Sequence, residues 1–338
     1  MDCSFLGVFN GRTDVPPLWM MRQAGRYLPE YREIRAKIGS FWSMCMTPEV
    51  AAEITLQPVR RFGFDAAIVF SDILVIPAAL GVALSFDQAP KLKPISSADN
   101  LDRSKDCWPK TLAPVYEAIK LVRARLEPGT SLIGFAGGPW TLATYMTGGG
   151  ANEPGPATLW AYRDPDGFRK LIDLLADCVA EHLIGQLRAG ADIVQIFESA
   201  AGGLTASAFA RWVTAPTAKI VTKVRAAAPQ AKIIGFPRGT TLQGYELYAR
   251  NTGVDAVSLD TAVPIDWAVE TLGMKVVLQG NLDPLALVAG GTALAEAVEA
   301  ILQATRGTRF IFNLGHGILP DTPIAHVEQL VHLVRSAK

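Results

Sequence analysis

The chain of 338 residues has few of the side chains that build disulfide frameworks or metal centres, with 4 cysteines and 4 histidines. Cys3, Cys45, Cys107 and Cys178 stand far apart and form no Cys-x-x-Cys pair or Cys/His cluster. That argues against a disulfide scaffold and a structural zinc site, and fits a reducing cytoplasm. Excess charge is missing too: Lys plus Arg and Asp plus Glu number 32 each, which removes the electrostatic footprint of a nucleic-acid or anionic-membrane binder. Any anion site must be local. The longest apolar stretches are broken by Asp72, Pro77 or glycines, and residues 1–10 lack the basic start and apolar run of a secretory signal. The expectation is a soluble, cytoplasmic protein. With no solenoid-length repeat, low-complexity tail or linker, residues 1–338 are expected to form one domain.

What the chain does have is a recurring short apolar run rich in β-branched and aromatic residues, closed by Gly, Pro, Asn or Ser. The runs are Ala66–Phe70, Leu132–Phe135, Asp192–Phe197, Lys232–Phe236, Asp255–Asp260, Lys275–Gln279 and Arg309–Asn313, with Leu18–Met21 as a further candidate. Helical-period segments alternate with them: Glu49–Arg61, Pro165–Leu187, Ala208–Ala228, Gln243–Asn251, Ile265–Leu272 and Leu285–Ala304. About eight strands alternating with helices is the count of an α/β (β/α)₈ TIM barrel. An open doubly wound sheet is the runner-up, but its glycine fingerprint after the first strand is missing. Residues Asp87–Asp106, polar and rich in Pro, Ser and Lys, read as an excursion between strands.

A parallel barrel places its active site at the C-terminal ends of its strands, so the polar residues just after each run are the candidates. They are Arg22 and Arg26, Ser71 and Asp72, Gly137 to Trp140 leading to Tyr145, Glu198 and Ser199, Asp260, Asn281 and Asp283, and Gly315-His316-Gly317. No lysine is among them. Lys232 and Lys275 open their strands at the opposite rim, which deprives a Schiff-base mechanism of its nucleophile. His316 is the one histidine at a strand end, too few for a metal hydrolase.

The stretch Pro16–Pro29 stands out because no acid lies between Asp14 and Glu30, which leaves Arg22 and Arg26 without a local partner. An uncompensated pair of guanidinium groups beside Gly25 suits an external carboxylate or phosphate; two arginines on a surface loop is the competing reading. Asp72, in FSDILV, reads either as a helix cap or as a carboxylate in a dry cavity that stabilises a developing positive charge. Tyr145 fits a core position as well as a site, Ser199 a helix cap, and His316 a turn.

Together PLWMMRQAGRYLPEYR, FSDILV, GFAGGPWTLATYM, FESAAG, LQGNLDP and NLGHGILP resemble the uroporphyrinogen decarboxylase family, in order and spacing, from about Pro17 to His326. The resemblance implies a single-domain (β/α)₈ barrel, a homodimer, and conversion of the four acetate side chains of uroporphyrinogen III to methyl groups without metal or prosthetic group. It implies that Arg22, Gln23 and Arg26, with the backbone around Ala24 and Gly25, grip substrate carboxylates. Arg22 is then a candidate proton donor, and Asp72 meets the pyrrole N–H groups and stabilises a cationic intermediate. Tyr145, Ser199 and His316 match substrate-contacting positions. The residue after Ser199 and the aromatic at Tyr31 depart from the family pattern without removing a matched residue. Two rivals remain: a zinc-dependent corrinoid methyltransferase of the same superfamily and a non-catalytic tetrapyrrole carrier.

Overall fold

Short apolar runs that lack alternation need burial on both faces, which a parallel sheet wrapped by helices provides. The computed structural model describes residues 5–86, 90–99, 101 and 107–337. Its strands are β1 (Ala66–Ile68), β2 (Leu84–Phe86), β3 (Pro90–Leu92), β4 (Ser131–Gly137), β5 (Ile193–Phe197), β6 (Lys232–Phe236), β7 (Ala256–Ser258), β8 (Val277–Leu282) and β9 (Phe310–Leu314). Seven of them form one parallel sheet in the order β1-β4-β5-β6-β7-β8-β9. β2 and β3 make a separate antiparallel pair, with β3 inside the stretch Asp87–Asp106 expected to leave the strand–helix rhythm and β2 just before it. The rest of that excursion lies partly outside the described residues.

The sheet curls around its own core. Ala66, Ile133, Ile193, Ile234, Ala256, Val277 and Ile311, one from each of the seven strands, pack with Trp19 and Met21 into a buried cluster, and Phe5 and Val8 of the 3₁₀ turn Phe5–Asn10 join it. Side chains alternate across a strand, so the neighbouring positions face outward and pack under the helices in a second, larger cluster. The inner cluster is not wholly apolar. Trp19 Nε1 donates to Gln279 Oε1 (3.0 Å), while Gln279 Nε2 donates to Gln195 Oε1 (3.2 Å) and Ser258 Oγ (3.0 Å), so the Gln279 amide is satisfied inside the curl, whereas Gln195 Nε2 has no partner among the described residues.

The expected strand Leu18–Met21 is reduced to a single parallel bridge, Leu18 to Phe312. Pro16 and Pro17 have no N–H to give, and side chains intercept the donors that a second strand would use. Leu18 N–H goes to Asp65 Oδ2 (2.6 Å), Met20 N–H to Gln23 Oε1 (3.1 Å) and Met21 N–H to Asn313 Oδ1 (3.0 Å). The segment nevertheless touches both edges of the sheet: Phe312 N–H donates to Pro17 O (2.9 Å) and Asp65 N–H to Leu18 O (3.0 Å).

Two helix expectations change. Leu285–Ala304 is two helices, Pro284–Ala289 and Gly291–Ala304, broken at Gly290 with φ 66°. The segment expected as Ala208–Ala228 contains a π turn, Ala210–Thr214, between Ala206–Phe209 and Ala215–Ala227. The helices expected at Glu49–Arg61 and Pro165–Leu187 run Pro48–Phe62 and Pro165–Ala189, each closed by a glycine in the left-handed conformation.

Candidate active site

After the Leu18 bridge the chain turns sharply, with Gln23 N–H bonded to Met20 O (3.0 Å) and Arg22 in the left-handed region at φ 63°. For a residue with a Cβ this costs roughly 1–2 kcal/mol, and the surroundings hold it there. Gln23 is fully buried and supplies that hold: Oε1 accepts Met20 N–H, Nε2 donates to Ala66 O (3.0 Å), and its carbonyl accepts Tyr27 OH (2.8 Å). Both polar ends of the Gln23 side chain are thus engaged within the scaffold. Arg22 and Arg26 project outward exposed, and neither makes an ion pair among the described residues. Ala24 and Gly25 are half-buried, and their amide N–H groups have no acceptor among the described residues.

Across the seam, the loop after β9 is shaped for Arg22. A Cβ at Gly317 would overlap the Arg22 Cγ and Cδ, so the guanidinium stem crosses directly over the glycine. His316, next to it, accepts the Gly317 N–H at Nδ1 (2.6 Å), which leaves the ring proton on Nε2. Burial lowers its pKa to about 4, with the Arg238 and Arg22 cations adding to the effect. At neutral pH His316 is a neutral donor.

Asp72 follows β1 and precedes the helix Val75–Ala79, whose N-cap residue is Leu74. Its Oδ1 accepts Leu74 N–H (2.7 Å) in the turn before that helix, which has no side-chain cap bond, while Oδ2 has no partner among the described residues. Burial raises its pKa above the usual carboxylate value, with the Leu74 N–H and then Arg22 pulling the other way. Tyr145, half-buried on the helix Pro139–Met146, is raised first by burial and then by the Asp72 charge. Arg22, Asp72, Tyr145 and His316, from four separate segments, thus form one electrostatic neighbourhood. Arg26 is not among the charges that act on Asp72, Tyr145 or His316.

Ser199 lies beside His316 in the wall of a cavity of about 600 Å³ at the C-terminal ends of β5, β6, β7 and β9, a wall that also holds Arg238 and Asp260. A larger cavity, about 870 Å³, is lined by Thr13–Pro16 and the helices Gly291–Ala304 and Ile324–Arg335, away from these residues. The smaller one has the chemistry. Arg238 escapes notice in the sequence because PRG after β6 reads as an ordinary turn. Its backbone N–H bonds Glu198 O (3.1 Å), which ties the loop after β6 to the loop after β5.

Glu198 is the other residue whose role needed the structure. Its fully buried carboxylate accepts Trp140 N–H (3.1 Å), Thr141 N–H (2.9 Å) and Thr141 Oγ1–H (2.8 Å), at the N-terminus of the helix that carries Tyr145. A Cβ at Gly138 would collide with this carboxylate, which explains the glycine before Pro139. Burial nonetheless pushes the pKa of Glu198 up to about 7. Among the described residues no group of three or more His, Cys, Asp or Glu is arranged to hold a metal ion, and Cys45 and Cys178 are buried.

Comparison with known proteins bears on the chain as a whole. Residues 4–337 match the family model described as "Uroporphyrinogen decarboxylase (URO-D)". Proteins named uroporphyrinogen decarboxylase from Brucella melitensis biotype 2 and Brucella canis are each 52% identical over 342 aligned residues, covering 100% of both chains. Among solved structures, a methyltransferase from Methanosarcina mazei superimposes with a TM-score of 0.81 at 19% identity, covering 98% of this chain and 96% of the other. A B12-independent methionine synthase from Shewanella reaches 0.57 at 13% identity, covering 97% and 95%. At such identities the structural matches speak for the parallel α/β architecture alone, whereas the full-length sequence match places the chain in the uroporphyrinogen decarboxylase family.

Proposed function

We propose that this chain removes CO₂ from the four acetate side chains of uroporphyrinogen III, giving coproporphyrinogen III in tetrapyrrole biosynthesis. The observation that carries the reading is full-length family membership, and the site adds a chemical reason. Loss of CO₂ from an acetate needs an electron sink, which other enzymes take from a cofactor. A pyrrole next to the acetate provides one when it is protonated on carbon. The carboxylate then loses CO₂, its bonding pair moves into the cationic ring, protonation of the exocyclic methylene gives the methyl group, and loss of the proton first added to the ring carbon restores the pyrrole. Each cycle consumes one proton and releases one CO₂.

In this reading the free Oδ2 of Asp72 accepts the pyrrole N–H groups and its charge offsets the ring cation. Arg22 and Arg26, with the unpaired amides of Ala24 and Gly25, take substrate carboxylates through charge-assisted bonds, and Gln23 holds their turn in shape. Arg22, whose stem reaches the Asp72 neighbourhood, is the candidate for proton delivery. Neutral His316 donates from Nε2, and Tyr145 and Ser199 complete the contacts. The Pro17–Trp19 segment, bonded to both β9 and β1, acts as the eighth stave of a single-domain (β/α)₈ barrel. The working unit is a cytoplasmic homodimer. A zinc-thiolate methyltransferase would need cysteine donors at strand ends, where this chain presents Asp260, Asn281, Asp283 and His316.

The test is anaerobic incubation with chemically reduced uroporphyrin III, followed by oxidation and chromatography of the products by carboxyl number. The expected result is the tetracarboxylate. Recovery of unchanged octacarboxylate that co-purifies with the protein would favour the carrier instead.

A further inference from the structure

The cavity wall contains a cation without a role. Arg238 follows β6, half-buried, and its one hydrogen bond from the guanidinium is a 3.5 Å approach of Nη1 to the Ser199 carbonyl. No carboxylate lies within ion-pair distance of it among the described residues. The nearest candidate, Asp260, is engaged elsewhere: Oδ2 accepts Gly239 N–H (2.6 Å) and Tyr245 OH (3.1 Å), and Oδ1 accepts Ala262 N–H (2.9 Å). A guanidinium held at a cavity wall by its own backbone, with its fork open, is set up for a bidentate anion.

Its location decides which anion. Arg238 shares its cavity wall with Ser199 and His316, and neither Asp72 nor Arg22 is among the residues that line that cavity. Arg238 therefore faces a cavity whose lining leaves out the reacting centre at Asp72. The acetates of the substrate disappear during the reaction, and the four propionates survive. A cation remote from the chemistry gives a lasting hold only on a carboxylate that is never consumed.

We infer that Arg238 is a binding residue for a surviving propionate carboxylate, anchoring the distal edge of the tetrapyrrole while acetates react near Asp72. This rests on the decarboxylase reading above. It requires Arg238 to hold product as well as substrate, and to act on binding more than on turnover.

The experiment compares the parent protein with Arg238→Gln and Arg238→Lys, measuring kcat and KM on uroporphyrinogen III and, separately, equilibrium binding of coproporphyrinogen III without oxygen. For Arg238→Gln, KM and the dissociation constant of the product should both rise about tenfold or more, with kcat changed by less than about threefold. Arg238→Lys keeps the charge without the fork and should fall between the two. Circular dichroism verifies the fold, and if Arg238→Gln does not fold, Arg238→Lys bears the same binding test. Unchanged product binding in a folded variant overturns the inference, as does a fall in kcat with binding intact. Failure of the decarboxylase reading is distinct, because the parent itself would then leave the substrate unconverted.

Discussion

At the residue scale, the position with the sharpest consequence is Asp72. One oxygen accepts the Leu74 N–H and the other is free, so a single substitution separates two jobs. Asp72→Asn keeps an oxygen for the Leu74 N–H but discards the charge that meets a cationic ring. Turnover should fall by roughly 10²-fold or more, about 2.7 kcal/mol or more of transition-state stabilisation, while product binding changes little. Single-turnover decarboxylation at saturating substrate measures this, and a parent-like rate from folded Asp72→Asn would leave Asp72 with the Leu74 bond alone. The same scale shows why the sequence singles out Arg22 but does not show how Gln23 is held. An unpartnered arginine is visible as missing acids nearby in the chain, whereas the partners of Gln23 include Ala66, which only folding brings to it.

At the element scale, the helix Pro139–Met146 is fastened by Glu198, a residue 52 to 59 positions further along the chain than the residues of that helix. The carboxyl pKa is raised from 4.5 to about 7, so the native state binds its proton more tightly than the unfolded chain. Its stabilising contribution is therefore complete below the unfolded value and is lost as the pH rises through about 7, a swing of about 3 kcal/mol at most. Glu198→Gln cannot ionise. Urea unfolding of both proteins at about pH 5 and about pH 8 should show a smaller pH difference in the variant. An identical difference in the two proteins would mean that Glu198 titrates the same way folded and unfolded. A second loss is expected, because Gln turns a donor toward the Trp140 and Thr141 N–H groups, and Tyr145 rides on that helix.

At the scale of the whole molecule, closure of the curl depends on Asp65. Its Oδ2 accepts Leu18 N–H at 2.6 Å and lies 2.8 Å from Arg335 Nη2, so one carboxylate joins the arginine-bearing segment, the start of β1 and the C-terminal helix Ile324–Arg335. Asp65→Ala leaves the Leu18 N–H without its acceptor, and stability should drop by about 1–3 kcal/mol in denaturant titration. Activity should drop with it, since Arg22 is four residues beyond Leu18 on the loosened segment. A variant with unchanged stability would show that the segment is held by its buried side chains alone.

The sequence by itself determined the alternation of strand and helix, the seven runs that became the parallel sheet, and which candidate polar residues follow those runs. It could do so because burial on both faces writes a continuous apolar run into any strand, and parallel pairing puts all C-terminal ends at one rim. It also determined the family, through motifs whose residues are constrained jointly. Tertiary structure alone decided that Leu18–Met21 bridges without pairing as a strand, because Asp65 and Asn313 claim its amides from distant parts of the chain. It alone decided that Arg22 sits left-handed over Gly317, that Glu198 clamps a helix, and that Arg238 is left with an open fork. Each of those outcomes is set by which groups satisfy a buried donor or charge, and such partners are chosen by proximity in space, which spacing along the chain does not encode.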